Sequence, residues 1–129
     1  MGKRVFICDD DDGYRMLLCE VLSADGMQIV GEGNDGAACI EAVHKAQPDV
    51  VQLDLRMQGI NGLEALPLLR ASLPDAKLIV LSTWPADQKS VSAAHMLGAD
   101  GYVSTPVDIF AAPGLVRGAL ASEPRRPTP

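Results

Sequence analysis

Four consecutive aspartates, Asp9 to Asp12, follow the apolar run of "FICDDDDGYR". Carboxylates in such a position can do two things. At a helix start they accept from free N–H groups and complement the positive end of the helix dipole. Beyond that need, they are hard oxygen ligands suited to a divalent cation. A further carboxylate, Asp54, closes the buried-looking stretch "VVQLD", and hydroxyls follow two later apolar runs, Ser82 and Thr83 after "KLIVL" and Ser104 and Thr105 after "GYV". Carboxylates beside hydroxyls make an oxygen-rich constellation, provided that the fold brings them to one place.

The chain pattern supplies such a fold. The β-rich runs "RVFIC", "MQIVG", "DVVQL", "KLIVLS" and "GYV" alternate with segments of helical period, which reads as five βα units around a parallel sheet. In an open parallel sheet ligands bind beyond the carboxyl ends of the strands. Asp9 and Asp10, Asp54, Ser82 and Thr83, and the "STP" of residues 104–106 all stand at such ends.

The first helix carries Tyr14, Leu17, Leu18, Val21 and Leu22 on one stripe, with Asp11 or Asp12 as N-cap and Gly26 past its end. The second begins after Asn34 or Asp35 and stops at Gln47-Pro48. The third follows Asn61 and ends by Pro74, with Pro67 predicting a kink or a late start. The fourth spans 87–97, with Gly98 as a left-handed cap. The fifth, "DIFAAPGLVRGAL", is expected to split at its central proline-glycine pair.

The chain has 129 residues, enough for one domain with its own core, and a formal charge of −6. That acidity argues against direct nucleic-acid binding. The apolar run near the start is too short for a signal sequence or a spanning helix, so no membrane association and a cytoplasmic location are expected. Cys8, Cys19 and Cys39 show no metal or disulfide spacing and read as small buried hydrophobes. His44 and His95 have no ligand-spaced partner. The polar, proline-rich residues 122–129 read as a linker or tail after a domain over 1–121.

The pair Asp9-Asp10, the segment "LDLRMQGINGLEAL" around Asp54, the hydroxyl at Ser82 or Thr83, and "GADGYV" together resemble a response-regulator receiver domain of two-component signalling, over essentially the whole chain to about Ala121. The resemblance implies a doubly wound α/β fold with a five-stranded parallel sheet in order 2-1-3-4-5, flavodoxin-like, the order for which a chemotaxis receiver is a standard example. It implies a regulatory phosphoacceptor rather than an enzyme, with Asp54 phosphorylated by a histidine kinase or a small phosphodonor. Mg²⁺ is the implied cofactor, since it takes one or two carboxylates plus a phosphate oxygen and neutralises the charge of both. Asp10 and Asp54 would ligate it directly, Asp9 through water, and Arg56 through its backbone carbonyl. The first two aspartates then hold metal and the last two start the helix.

By the same resemblance Ser82 or Thr83 donates to the phosphoryl group as the switch hydroxyl. Tyr102 is the switching aromatic or, equally, a tyrosine packed on helix four. The switched face is helix four, strand five and helix five, and the implied partners include a C-terminal DNA-binding output domain and a second copy of the chain.

One departure bears directly on the chemistry. Where family members carry lysine before a proline, this chain has Thr105, and at about 4 Å and an effective dielectric near 20 one missing cation is worth roughly 4 kcal/mol of Coulomb energy. Arg56 and Lys89, in loops or helix starts expected at the same sheet edge, are the cations that could compensate. Gln58 replaces a usual proline, and Pro106 is the partner of an X-Pro bond often cis in the family. Thr105 also supports a second reading, a pseudo-receiver acting as a phosphorylation-independent interaction or dimerisation module. A metal-dependent phosphohydrolase would need an acid-base aspartate where Arg56 stands, and a flavodoxin-like carrier would need a phosphate cradle where four carboxylates stand.

Overall fold

The computed structural model describes residues 3–55, 57, 59–82, 88–104 and 109–121, with the backbone alone at Ser82, Gln88, Lys89, Ser90 and Ser104. Arg56, Gln58, Thr83, Thr105, Pro106 and the tail 122–129 lie outside the described residues, as do the side chains of Ser82 and Lys89.

Each apolar run is a strand, and helices alternate with them: β1 Arg4–Cys8, α1 Asp12–Ala24, β2 Gln28–Gly33, α2 Gly36–Ala46, β3 Val50–Asp54, α3 Gly62–Ser72, β4 Lys77–Ser82, α4 Gln88–Met96, β5 Gly101–Ser104 and α5 Ala112–Leu120. All four strand pairings are parallel, in the order β2-β1-β3-β4-β5. The expected doubly wound sheet is therefore observed. Side-chain alternation sorts the core into two layers. Val5, Ile7, Val50, Ile79 and Leu81 meet Leu18 and Leu22 of α1 and Val116 of α5. Phe6, Cys8, Val51, Leu53, Leu78 and Val80 meet residues of α2, α3 and α4.

Short polar side chains fix the helix starts. Asp11 accepts from the Tyr14 amide at 3.1 Å, Asp35 from Ala38 at 3.0 Å and Asn61 from Glu64 at 3.0 Å. Asp11, not Asp12, is thus the cap of α1, and Asp35, not Asn34, that of α2. Gly98 has φ +117, as a left-handed cap requires, while α2 ends on Gln47 in the same region at φ 48.

Three local expectations need correction. Leu17 is half-exposed, because the stripe through Tyr14, Leu18 and Leu22 leaves it on the flank. The late start offered for α3 is not observed: it starts at Gly62 and runs through Pro67, whose ring offers no N–H to the Leu63 carbonyl. In the last helix the break precedes the proline-glycine pair: a 3₁₀ turn at Ile109–Ala111 leads into α5, and Pro113 sits in its first turn, where no helical hydrogen bond is lost.

At the amino edge of the sheet the Arg70 guanidinium is buried, 3% exposed. It donates to the carbonyls of Gly98, Leu73, Pro74 and Ala76 and pairs with Asp100 at 2.7 Å. Asp100 also accepts from the Leu78 amide at 2.8 Å. These bonds tie the end of α3 to the starts of β4 and β5. No helix among the described residues is long and apolar enough to cross a membrane.

A three-carboxylate site at the carboxyl edge of the sheet

β1 and β3 are adjacent, with Cys8 opposite Leu53, so the residues that follow leave the sheet side by side. One carboxylate oxygen from each of Asp9, Asp10 and Asp54 lies within 4.8 Å of the other two. Ligands around a single Mg²⁺, each about 2.1 Å from the ion, stand about 3–4 Å apart. The donor set therefore fits a divalent cation: three hard oxygens at nearly the required separation, in a group of like charges that otherwise repel.

Asp9 is the buried member, 6% exposed, and accepts from the Asp11 amide at 2.9 Å. Burial pushes its carboxyl above the usual carboxylate range. The Asp11 N–H works against that rise, the charges of Asp10 and Asp11 add to it, and Arg15 opposes it. A raised value means that the folded protein favours the protonated acid. That contribution is fully present below the unfolded value near 3.8 and is lost as pH rises through the folded value, so at neutral pH the charged Asp9 is a burden on the metal-free fold. Asp9→Asn is expected to stabilise the metal-free protein by about 1 kcal/mol near pH 7 and to give no gain near pH 3, measured by urea unfolding in a chelator.

Asp54 ends β3, and the chain beyond it is held by the start of α3. Gly62 donates to the Leu55 carbonyl at 3.0 Å, and a β carbon on Gly62 would stand 2.8 Å from the Asp54 carbonyl oxygen. Only glycine allows so close an approach.

Sequence reasoning missed three contributors. Arg15 donates to the Asp9 carbonyl at 2.8 Å and is held by Asp12 at 2.6 Å and Glu32 at 2.8 Å. It fixes the loop that carries Asp9 and Asp10. Its spacing from Asp12 is a helical i,i+3 pair, a visible signal, but Glu32 arrives from β2. The Tyr14 hydroxyl is buried, and burial followed by the charges of Asp9 and Asp54 pushes it up, so it stays a neutral phenol. Gln52 is 1% exposed on β3, two residues before Asp54, with neither polar atom of its amide hydrogen-bonded. Tyr102 is half-buried against the layer that includes Ala94 of α4, its hydroxyl likewise without a hydrogen bond.

The model of the response regulator receiver domain family matches residues 5–111. The chemotaxis protein CheY of Thermotoga maritima is 34% identical over 106 residues, covering 82% of this chain and 88% of that protein. The response regulator GacA of Pseudomonas aeruginosa is 34% identical over 102 residues, covering 78% of this chain and 47% of its own length. Among solved structures, the response regulator domain of Thermotoga maritima CheB superposes with a TM-score of 0.83 at 29% identity, covering 96% of this chain and all of that one. The receiver domain of NarL from Mycobacterium tuberculosis gives 0.86 at 28%, covering 95% and 98%. Sheet order, the acidic edge and these likenesses agree, and the chain belongs to the response-regulator receiver domains.

Proposed function

We propose that this domain is a phosphoacceptor switch in which Asp54 takes a phosphoryl group from a histidine kinase or a small acyl phosphate. The observation that carries this reading is the meeting of Asp9, Asp10 and Asp54 oxygens within 4.8 Å. Asp10 and Asp54 would hold Mg²⁺ directly, Asp9 through water, and Arg56 through its carbonyl. When bound, the ion supplies positive charge that neutralises the carboxylates and the incoming phosphoryl oxygens.

An oxygen of Asp54 attacks phosphorus. The new P–O bond forms as the bond to the donor's leaving group breaks, and the electron pair leaves with that group. Arg15 keeps the Asp9-Asp10 loop in place, and the Tyr14 phenol beneath it adds no charge. A hydroxyl of Ser82 or Thr83 then donates to the phosphoryl group, and Tyr102 follows it. Phosphorylation shifts the population of a two-state surface made by α4, β5 and α5.

Several curated relatives extend well beyond a receiver: this chain spans 47% of GacA and 46% of the Mycobacterium tuberculosis DNA-binding activator DevR/DosR. A DNA-binding output domain joined through residues 122–129, a second copy as dimer partner, and a cytoplasmic setting belong to the same proposal.

The test is incubation of the chain with Mg²⁺ and acetyl phosphate, read by intact mass. One added phosphoryl group that requires Mg²⁺ is expected. Mg²⁺ binding with no added mass would overturn the reading in favour of a phosphorylation-independent interaction module, which Thr105 would then explain.

A further inference from the structure

Two buried thiols take no part in the proposed chemistry. Cys8 closes β1 one residue before Asp9, and Cys39 lies in the first turn of α2. They are 1% and 2% exposed and belong to the same core layer. Across the β1–β2 pair Cys8 stands opposite Gly33, and a β carbon on Gly33 would lie only 2.6 Å from the Cys39 sulfur. The bare strand thus lets the Cys39 sulfur settle against Gly33, the residue opposite Cys8, within one core cluster. Asp9 in turn donates its amide to the Gly33 carbonyl at 3.0 Å, so the pair and the acidic loop share one support.

We propose that Cys8 and Cys39 are a redox modification site that closes to an intramolecular disulfide with hydrogen peroxide as oxidant. One sulfur attacks the peroxide: an S–O bond forms, the O–O bond breaks, and water leaves once the thiol proton is transferred. The second sulfur attacks the resulting sulfenic acid, forming S–S as the S–O bond breaks and releasing a second water. Two thiols are oxidised by two electrons in all, and the peroxide is reduced to two waters. The neighbouring Cys8 thiol lowers the Cys39 pKa, which favours Cys39 as the attacking group. Closure brings the sulfurs to about 2 Å, drawing the end of β1 toward α2. On the reading of Asp9 and Asp10 as a metal site, that movement weakens Mg²⁺ binding. Disulfides of this kind in reducing compartments are transient and redox-sensing.

Cys19 is the built-in contrast. Its thiol donates to Glu32 at 3.5 Å, and burial together with that carboxylate pushes it up to about 11.

The test treats the full chain carrying Cys19→Ser with hydrogen peroxide, then unfolds, alkylates and digests it with trypsin. A cross-linked pair of peptides 5–15 and 16–45 is expected, abolished by reductant and missing in Cys39→Ala. Full alkylation of both cysteines after peroxide overturns the proposal. Mg²⁺ titration of the oxidised protein is expected to show at least threefold weaker binding, restored on reduction. Unchanged affinity with the link present overturns the coupling to Asp9. A reduced protein that binds no Mg²⁺ contradicts the metal-site reading instead, and the peptide map still decides the disulfide.

Discussion

Asp54→Asn is expected to abolish phosphoryl uptake from acetyl phosphate, by at least a hundredfold, while leaving the fold intact. The amide is not a nucleophile at neutral pH, and the buried Asp9 carboxylate, committed to the Asp11 amide, does not replace it. Asp54 is only half-buried at the strand end, so its replacement disturbs the edge of the core and not its interior. Intact mass and urea unfolding measure the two halves separately. Continued uptake by Asp54→Asn would place the acceptor elsewhere. Thr105→Lys is an independent arm: on the family resemblance it restores the cation expected beside the acceptor and is expected to speed uptake, and an unchanged rate would show that the missing charge is made good within this chain.

Arg70→Met is expected to destabilise the domain by about 3–5 kcal/mol, a large part of the usual 5–15 kcal/mol. Methionine fills much the same volume but leaves the Asp100 carboxylate buried, with the Leu78 amide as a remaining donor, and frees the carbonyls of Gly98 and Ala76 from a charged donor. The effect is a lower urea midpoint at unchanged slope. Adding Asp100→Leu to Arg70→Met is expected to recover part of the loss, since no buried carboxylate is then left without its guanidinium. A change below about 1 kcal/mol for the single variant would show that water reaches the pair.

Much of the architecture was legible because strand and helix periods differ and because the apolar runs are short and well separated. β2 shows the limit. Its side-chain pattern fades at Gly31, yet pairing with β1 continues to Gly33, since a backbone ladder needs no side chain. The start of α5 was misread for a related reason: a proline-glycine pair breaks a helix in its middle and suits one in its first turn, and local pattern does not distinguish the two. The order of the strands came from resemblance, as periodicity says nothing about which strands pair.

At the site, Asp9 and Asp54 were readable because each follows an apolar run directly, and Asp10 because it extends Asp9 into a pair. Arg15 was not nominated although it lies in the same stretch, because its purpose depends on Glu32 and on the Asp9 carbonyl, which only the fold brings to it. Arg70 was silent for the same reason. In "LLRAS" it reads as a solvated charge, and the carbonyls that bury it come from segments up to 28 residues away, with Asp100 a little further. Gln52 reads as a strand residue like its neighbours, and nothing in its type shows that its amide would be enclosed.

The central claim is that oxygens from the ends of β1 and β3 share one magnesium ion. Isothermal titration of the reduced chain with MgCl₂, beside Asp10→Ala and Asp54→Ala, tests it most directly. One ion bound per chain at millimolar concentration or below, with binding lost in both variants, is the predicted result; no cation uptake, or uptake unaffected by either substitution, would contradict it.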